Sequence, residues 1–140
     1  MGVSYHQMQH FITESNWDHR ALMDQVAQEV SQILPKRKLT GLIIDESGWV
    51  KKGDHSVGVG HQHCGNVGKL SNSQVAVFAS MVDARLYLPK AWCDDKARCE
   101  KAGIPVAHRT FKTKLELALE IIHQQVTNGL SFDFIGGDGY

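Results

Sequence analysis

Two stretches of this chain share one design, and together they decide which folds are open to it. Gly41-Leu42-Ile43-Ile44-Asp45 is an apolar, β-type run that ends in a carboxylate, and Phe132-Asp133-Phe134-Ile135-Gly136-Gly137-Asp138 repeats the pattern near the other end of the sequence. Short apolar runs of this kind read as strands buried on both faces. Before the second run lies the clearest helix, residues 114–128, opened by a capping box of Thr113 and Glu116 and stopped by Gly129. Parallel strands cannot be joined by a tight turn, so a helix that feeds a buried strand is the crossover of a parallel pair. The order predicts a mixed α/β sheet in which residues 132–135 lie beside residues 41–45. Asp45 and Asp138 then stand at the ends of neighbouring strands.

The remaining segments fill in that frame. Tyr5, Met8, Phe11 and Ile12 recur at helical spacing over residues 4–13. A second helix is predicted over about residues 17–34, capped by Ser15 or Asn16, with Trp17, Ala21, Leu22, Val26, Val30, Ile33 and Leu34 as its stripe and Pro35 as its stop. The periodicity changes at Gly41, which divides the chain into an N-terminal helical segment, residues 1–40, and a mixed part, residues 41–140. After the first strand, residues 46–55 read as a polar loop. Alternation over residues 56–63 and again over 73–82 predicts two more strands, joined as an antiparallel meander. Residues 86–92 read as a further extended piece, and 94–101 as a short helix. On the helix at 114–128, Leu115, Leu119, Ile122 and Val126 form the expected buried face.

Composition limits the function classes. With 15 basic and 15 acidic residues the formal charge is zero, so no global basic field marks a nucleic-acid partner and local patches must carry any such contact. Cys64, Cys93 and Cys99 are odd in number and lack Cys-x-x-Cys spacing, which argues against a disulfide scaffold or a structural zinc site and for a reducing, cytoplasmic setting. No apolar run reaches the roughly 18 residues that span a bilayer. An ending at Gly139-Tyr140, just past a strand-edge acid, predicts a fragment of a longer protein.

Neighbouring strands lie about 4.8 Å apart, so carboxylates at matching ends can share a divalent ion. Oxygen donors of this type suit Mg²⁺ or Mn²⁺, and the chemistry that follows is metal-assisted phosphodiester cleavage or transfer. Acids after strands also serve as caps and turn residues, with no chemistry attached. Lys51, Lys52, Lys69, Arg109, Lys112 and Lys114 sit in loops or at a helix start, where they could contact a phosphate backbone or simply be solvated. His61, His63 and Cys64 fall one ligand short of a zinc site. Asp54-His55 has no nucleophile near it in sequence. Trp49 and Trp92 could stack on bases, but core burial is the usual place for tryptophan.

Several ordered blocks resemble the DDE-type transposases of bacterial insertion sequences: Leu42-Ile43-Ile44-Asp45-Glu46-Ser47-Gly48, Lys51-Lys52-Gly53-Asp54-His55-Ser56-Val57-Gly58-Val59, Cys64-Gly65-Asn66-Val67-Gly68-Lys69, Arg85-Leu86-Tyr87-Leu88-Pro89-Lys90-Ala91-Trp92, Phe111-Lys112-Thr113-Lys114 and Gly137-Asp138-Gly139-Tyr140. The resemblance implies a ribonuclease H-like, retroviral-integrase-like mixed sheet, here incomplete and preceded by N-terminal helices. It implies that Asp45 and Asp138 are the first two acids of a triad holding two Mg²⁺ (or Mn²⁺) ions. It also implies DNA partners, the element ends and the target, with a possible homo-oligomer and a nucleoid-associated location. The family's third acid, a glutamate on a helix well downstream, has no counterpart, since Glu116 and Glu120 precede Asp138 on the wrong helix. Between Met81 and Leu86 the family's longer hairpin is shortened to Val82-Asp83-Ala84-Arg85. The expectation is a truncated transposase, whose intact relatives cleave DNA and transfer strands. The alternatives are a non-catalytic DNA-binding or dimerising remnant, or a two-aspartate phosphohydrolase.

Overall fold

The computed structural model describes residues 4–34, 38–80 and 82–137. Two helices, α1 (Tyr5–Glu14) and α2 (His19–Ile33), precede a long strand β1 (Gly41–Val50), then β2 (Gly60–Cys64), β3 (Lys69–Ala79) and β4 (Asp83–Leu86). Short helices α3 (Lys90–Asp94) and α4 (Lys96–Lys101) follow, then α5 (Lys114–Thr127) and β5 (Phe134–Gly137). The result is a mixed α/β chain with one five-stranded sheet, consistent with a ribonuclease H-like domain. Among the described residues no helix is long and apolar enough to cross a membrane.

The parallel crossover is present: β1 pairs with β5 in parallel, from Gly41↔Phe134 to Ile44↔Gly137. The antiparallel part is not a simple meander. Strand order is β2-β3-β1-β5, so β1 pairs with β3, and β2 and β4 share the far side of β3. A strand of 11 residues is long enough to hold two short partners end to end, β2 along its first half and β4 along its second. Residues expected to open the second strand instead form turns up to Gly60, and Val57 and Val59 enter a separate apolar cluster with Trp92, Cys99 and Ile104. The expected extended piece at 86–92 is split: Leu86 closes β4 and Lys90 opens α3 behind Pro89.

β1 also continues past Asp45. Glu46 to Val50 stay in the ladder opposite Val77 to Ser73, although three of them are Glu, Ser and Gly. Ladder hydrogen bonds with a long central partner outweigh weak strand propensity there. At Gly48 a Cβ would come within 2.7 Å of Cys64 Sγ, so glycine is what lets the two strands close up.

The main core joins α2, β1, β3 and α5 through Ala27, Leu42, Ile44, Val77, Leu117 and Ile121. α2 is capped by Asp18, whose carboxylate accepts from the N–H groups of Arg20 and Ala21, rather than by Ser15 or Asn16. Its stripe is only partly used, with Ala27 buried, Val30 and Leu34 packed on the core, and Trp17, Leu22 and Ile33 exposed. The expected capping box at Thr113 and Glu116 opens α5. The buried face of α5 differs from the expected one. Leu117, Ile121 and Gln125 face inward, while Leu115, Leu119 and Val126 are exposed and only Ile122 touches the core. A polar residue, Gln125, stands in the true inward stripe, and its partner is remote in sequence.

That partner is Asp83, the centre of the strongest polar cluster in the chain. Its side chain is fully buried and accepts from Arg20 Nη1 at 3.0 Å, Arg20 Nη2 at 2.7 Å, the Ala84 N–H at 2.7 Å and Gln125 Nε2 at 3.0 Å, with Arg85 as a further donor. The hydrogen bonds to Asp83 hold the Arg20 pKa above its already high ordinary value. One carboxylate thus bolts α2, β4 and α5 together, and the chain between Met81 and Leu86 that looked like a shortened hairpin supplies it.

Candidate active site

Asp45 lies in the middle of β1, opposite Phe78 of β3. Its side chain is exposed, and Oδ1 accepts from the N–H of Glu46 at 2.7 Å. Among the described residues no basic side chain forms an ion pair with it, which leaves the carboxylate as an oxygen donor open to a hard cation. Its position relative to β5 is what matters: the last described pair of the parallel register is Ile44↔Gly137, and Ile44 directly precedes Asp45. Asp138, the other expected ligand, falls outside the described residues. Among those described, no group of three or more His, Cys, Asp or Glu side chains gathers in a way that could hold a metal.

Alternation along β1 turns Glu46 to the opposite face from Asp45. There Lys114 Nζ, at the start of α5, lies 2.5 Å from Glu46 Oε2, and the same ammonium sits 5.7 Å from the Tyr87 ring centre. Glu46 is 12% exposed, so the pair ties β1 to the N-terminal turn of α5 in a partly dry setting. Beside it opens a cavity of about 630 Å³ between α5 and the β1–β5 pair, with an apolar floor that includes Ile44, Val77, Leu115 and Ile135 and a polar mouth at Asp45, Glu46 and Lys114. Tyr87 and Phe111 meet edge to face over one wall, with centres 6.3 Å apart, and burial pushes the Tyr87 hydroxyl pKa up.

The expected phosphate contacts divide into two groups. Lys51, Lys52 and Lys69 have no carboxylate partner among the described residues, and Lys52 and Lys69 are exposed while Lys51 is half-buried. Lys112 and Lys114 are both neutralised, by Glu120 at 2.5 Å and by Glu46, and Arg109 is tied through Nε to the Ile104 carbonyl at 2.8 Å. The two tryptophans also part company. Trp92 is 1% exposed and donates from its indole N–H to the Val59 carbonyl, whereas Trp49 keeps 45% of its surface. His61 and His63 are exposed on β2, Cys64 is buried, and Asp54 pairs only with its neighbour His55 at 3.5 Å. Sequence reading missed the Glu46–Lys114 pair. The signal was present in the alternation that sends Glu46 away from Asp45, but not in any spacing that named its partner.

Known proteins bear on this geometry. Residues 1–138 match the family model of the DDE superfamily endonuclease. A probable transposase for insertion sequence element IS701 from Microchaete diplosiphon is 33% identical over 131 residues, which is 94% of this chain and 33% of that protein. The chain therefore spans about a third of the length of the curated relative it matches. No solved structure matches.

Proposed function

The chain belongs to the DDE superfamily endonucleases, a family of insertion-sequence transposases that uses divalent metal ions, and from that premise we propose that Asp45 and Asp138 are the first two metal-binding acids of a transposase catalytic centre. The observation that carries this reading is the parallel register of β1 and β5. Its last described pair is Ile44 with Gly137, and the residue that follows each in sequence is one of the two aspartates. Two carboxylates leaving neighbouring strands at matching positions can approach to about the strand spacing.

The metal is Mg²⁺, with Mn²⁺ as its laboratory substitute, because the two aspartates offer only carboxylate oxygens, which favour small hard cations. When bound, such ions would activate a water or a DNA 3′-hydroxyl and stabilise the leaving oxygen. This chain's own contribution is placement. Pairing with Phe78 of β3 fixes Asp45, β5 braces β1 up to the preceding Ile44, the Glu46 N–H orients one carboxylate oxygen, and the Glu46–Lys114 pair anchors the strand to α5. DNA cleavage and strand transfer at element ends, by an oligomer, belong to the whole transposase. Within these 140 residues the proposed contribution is ion binding by the two aspartates.

The test is Mn²⁺ binding to the purified chain, followed by electron paramagnetic resonance or calorimetry. Binding that disappears in Asp45→Asn, with the circular dichroism spectrum unchanged, is the expected result. Equal binding in wild type and Asp45→Asn would remove Asp45 from the site.

A second reading, a DNA-binding remnant without catalysis, is favoured by Lys51, Lys52 and Lys69, which have no carboxylate partner among the described residues. Its mark is binding that weakens steeply with salt and survives the loss of Asp138.

A further inference from the structure

α1 buries none of its ten residues. Its hold is local: the capping box of Ser4 and Gln7 at its start, and Phe11 stacked on Trp17 beyond its end, with ring centres 6.5 Å apart and planes at 13°. A helix this short without core contacts is marginal in water. The run Tyr5-His6-Gln7-Met8-Gln9-His10 sets two imidazoles four residues apart, one turn above the other on the same side of the helix. Both are exposed, and both line a notch of about 430 Å³ together with Gln7, Phe11 and Ser15. Among the described residues neither ring is spent on a hydrogen bond or an ion pair, and His6 meets Tyr5 edge-on with ring centres 5.8 Å apart. Residues 4–16 carry one acid, Glu14, and no Lys or Arg, so the surrounding helix does not repel a cation.

We propose that His6 and His10 form a two-nitrogen site for a transition-metal ion of the imidazole-preferring class, Zn²⁺, Ni²⁺ or Cu²⁺, which clips successive turns of α1 together. Side chains at i and i+4 on a helix start about 5–6 Å apart at Cβ. Two imidazoles converging from that separation can both reach one ion at about 2.0–2.1 Å. An i, i+4 histidine pair on one helix face is also how the zinc-hydrolase helix holds its metal, with a glutamate directly after the first histidine as general base. Here that position is Gln7, an amide whose Oε1 accepts from the Ser4 N–H at 2.9 Å. The pair therefore binds and braces but has no base beside it for hydrolysis. Donor chemistry separates it from the proposed Asp45 centre, since imidazole suits Zn²⁺, Ni²⁺ and Cu²⁺ whereas carboxylate suits Mg²⁺ and Mn²⁺. No group of three or more ligating side chains gathers among the described residues, so water fills the other positions and the affinity is that of a chelating pair, below that of a closed four-ligand zinc site.

The experiment uses the full 140-residue chain without a polyhistidine tag, which would mask the site. Calorimetric titration with Zn²⁺ and with Cu²⁺, in excess Mg²⁺, reads affinity. Hydrogen exchange with and without Zn²⁺ reads the amides of α1. The expected result is a site for one ion, tighter for Cu²⁺ than for Zn²⁺, with exchange slowed across α1 when Zn²⁺ is bound. His6→Ala and His10→Ala should each weaken binding on the order of tenfold, as loss of a tethered second donor does, and should abolish the protection. Combining His10→Gln with Met8→His keeps two imidazoles on α1 but turns them to opposite sides, so it should bind no better than His10→Ala. Equal affinity in wild type and His6→Ala would overturn the proposal, as would binding that leaves α1 exchange unchanged. His61 and His63, exposed on β2, are the competing pair. Loss of the ion in His61→Ala but not in the α1 variants would assign it to β2 and sink the α1 site. Mn²⁺ binding should persist in His6→Ala and disappear in Asp45→Asn, so the failure of either reading is distinguishable from that of the other.

Discussion

The two ends of α5 are built in opposite ways. Its C-terminal half buries Ile121 and Gln125 completely, and Gln125 reaches the Asp83 carboxylate that also holds Arg20 and Arg85. Asp24 of α2 accepts from Gln124 and Asn128 alongside. Its N-terminal half faces the open cavity, leaves Leu115 72% exposed, packs Leu117 into the core with Leu42 and Ile44, and is tied to β1 by the ion pair of Lys114 with Glu46. The closed end fixes the helices to the sheet, and the open end adjoins Asp45. Stability is concentrated away from the place where chemistry is proposed, so the site can stay accessible without endangering the fold.

Removing Asp83 should show this asymmetry most strongly. Asp83→Ala leaves two guanidinium groups and the Gln125 amide without their shared acceptor, and breaking a buried pair in this way costs about 3–5 kcal/mol. Urea denaturation should record that loss as a lower midpoint, and an effect below about 1 kcal/mol would show that the cluster is not what closes this end. Next in size is a contrast within the helix itself. Ile121→Ala should cost about 2–5 kcal/mol, whereas Leu115→Ala, at the open end, should stay within about 0.5 kcal/mol. Equal losses would mean that the cavity is closed in solution.

The same contrast explains what could be read from the sequence. The parallel pairing of the first and last strands followed from one helix and two apolar runs, because crossover geometry leaves few choices. The capping box of α5 was equally local. The inward face of α5 was not legible, because Gln125 breaks the apolar pattern and its reason for burial, Asp83, is a contact across 42 residues of sequence. Strand order failed for a related cause: alternation marks strands but does not say that β3 is long enough to separate β1 from β2. At the site, Asp45 was evident as the acid after an apolar run. The difference between Trp49 and Trp92 was hidden, since burial depends on where α3 and the 53–59 loop come to rest.

A smaller effect tests the open end directly. Lys114→Met keeps most of the aliphatic stem but removes the ammonium that faces Glu46, and the loss of a partly exposed pair should destabilise the chain by about 1 kcal/mol. The more telling readout is Mn²⁺ affinity. If the pair positions β1 beneath Asp45, Lys114→Met should weaken the metal several-fold while Lys112→Met, which removes only the surface pair with Glu120, leaves it unchanged.

The smallest effect concerns the cap of the same helix turn. Glu116 accepts from the Thr113 N–H at 2.6 Å and from its hydroxyl at 2.8 Å, and the backbone hydrogen bond, with the hydroxyl next, holds its carboxyl pKa below the ordinary glutamate value. A carboxylate depressed on folding contributes stability that is present above its unfolded pKa and is lost as pH falls through the folded one. Acid should therefore loosen the first turn of α5. Hydrogen exchange at acidic pH should show the amides of that turn losing protection. Glu116→Gln can still accept from Thr113 and has no proton to take up, so it should flatten that pH dependence. A first turn that loosens with acid equally in Glu116→Gln would place the sensitivity elsewhere.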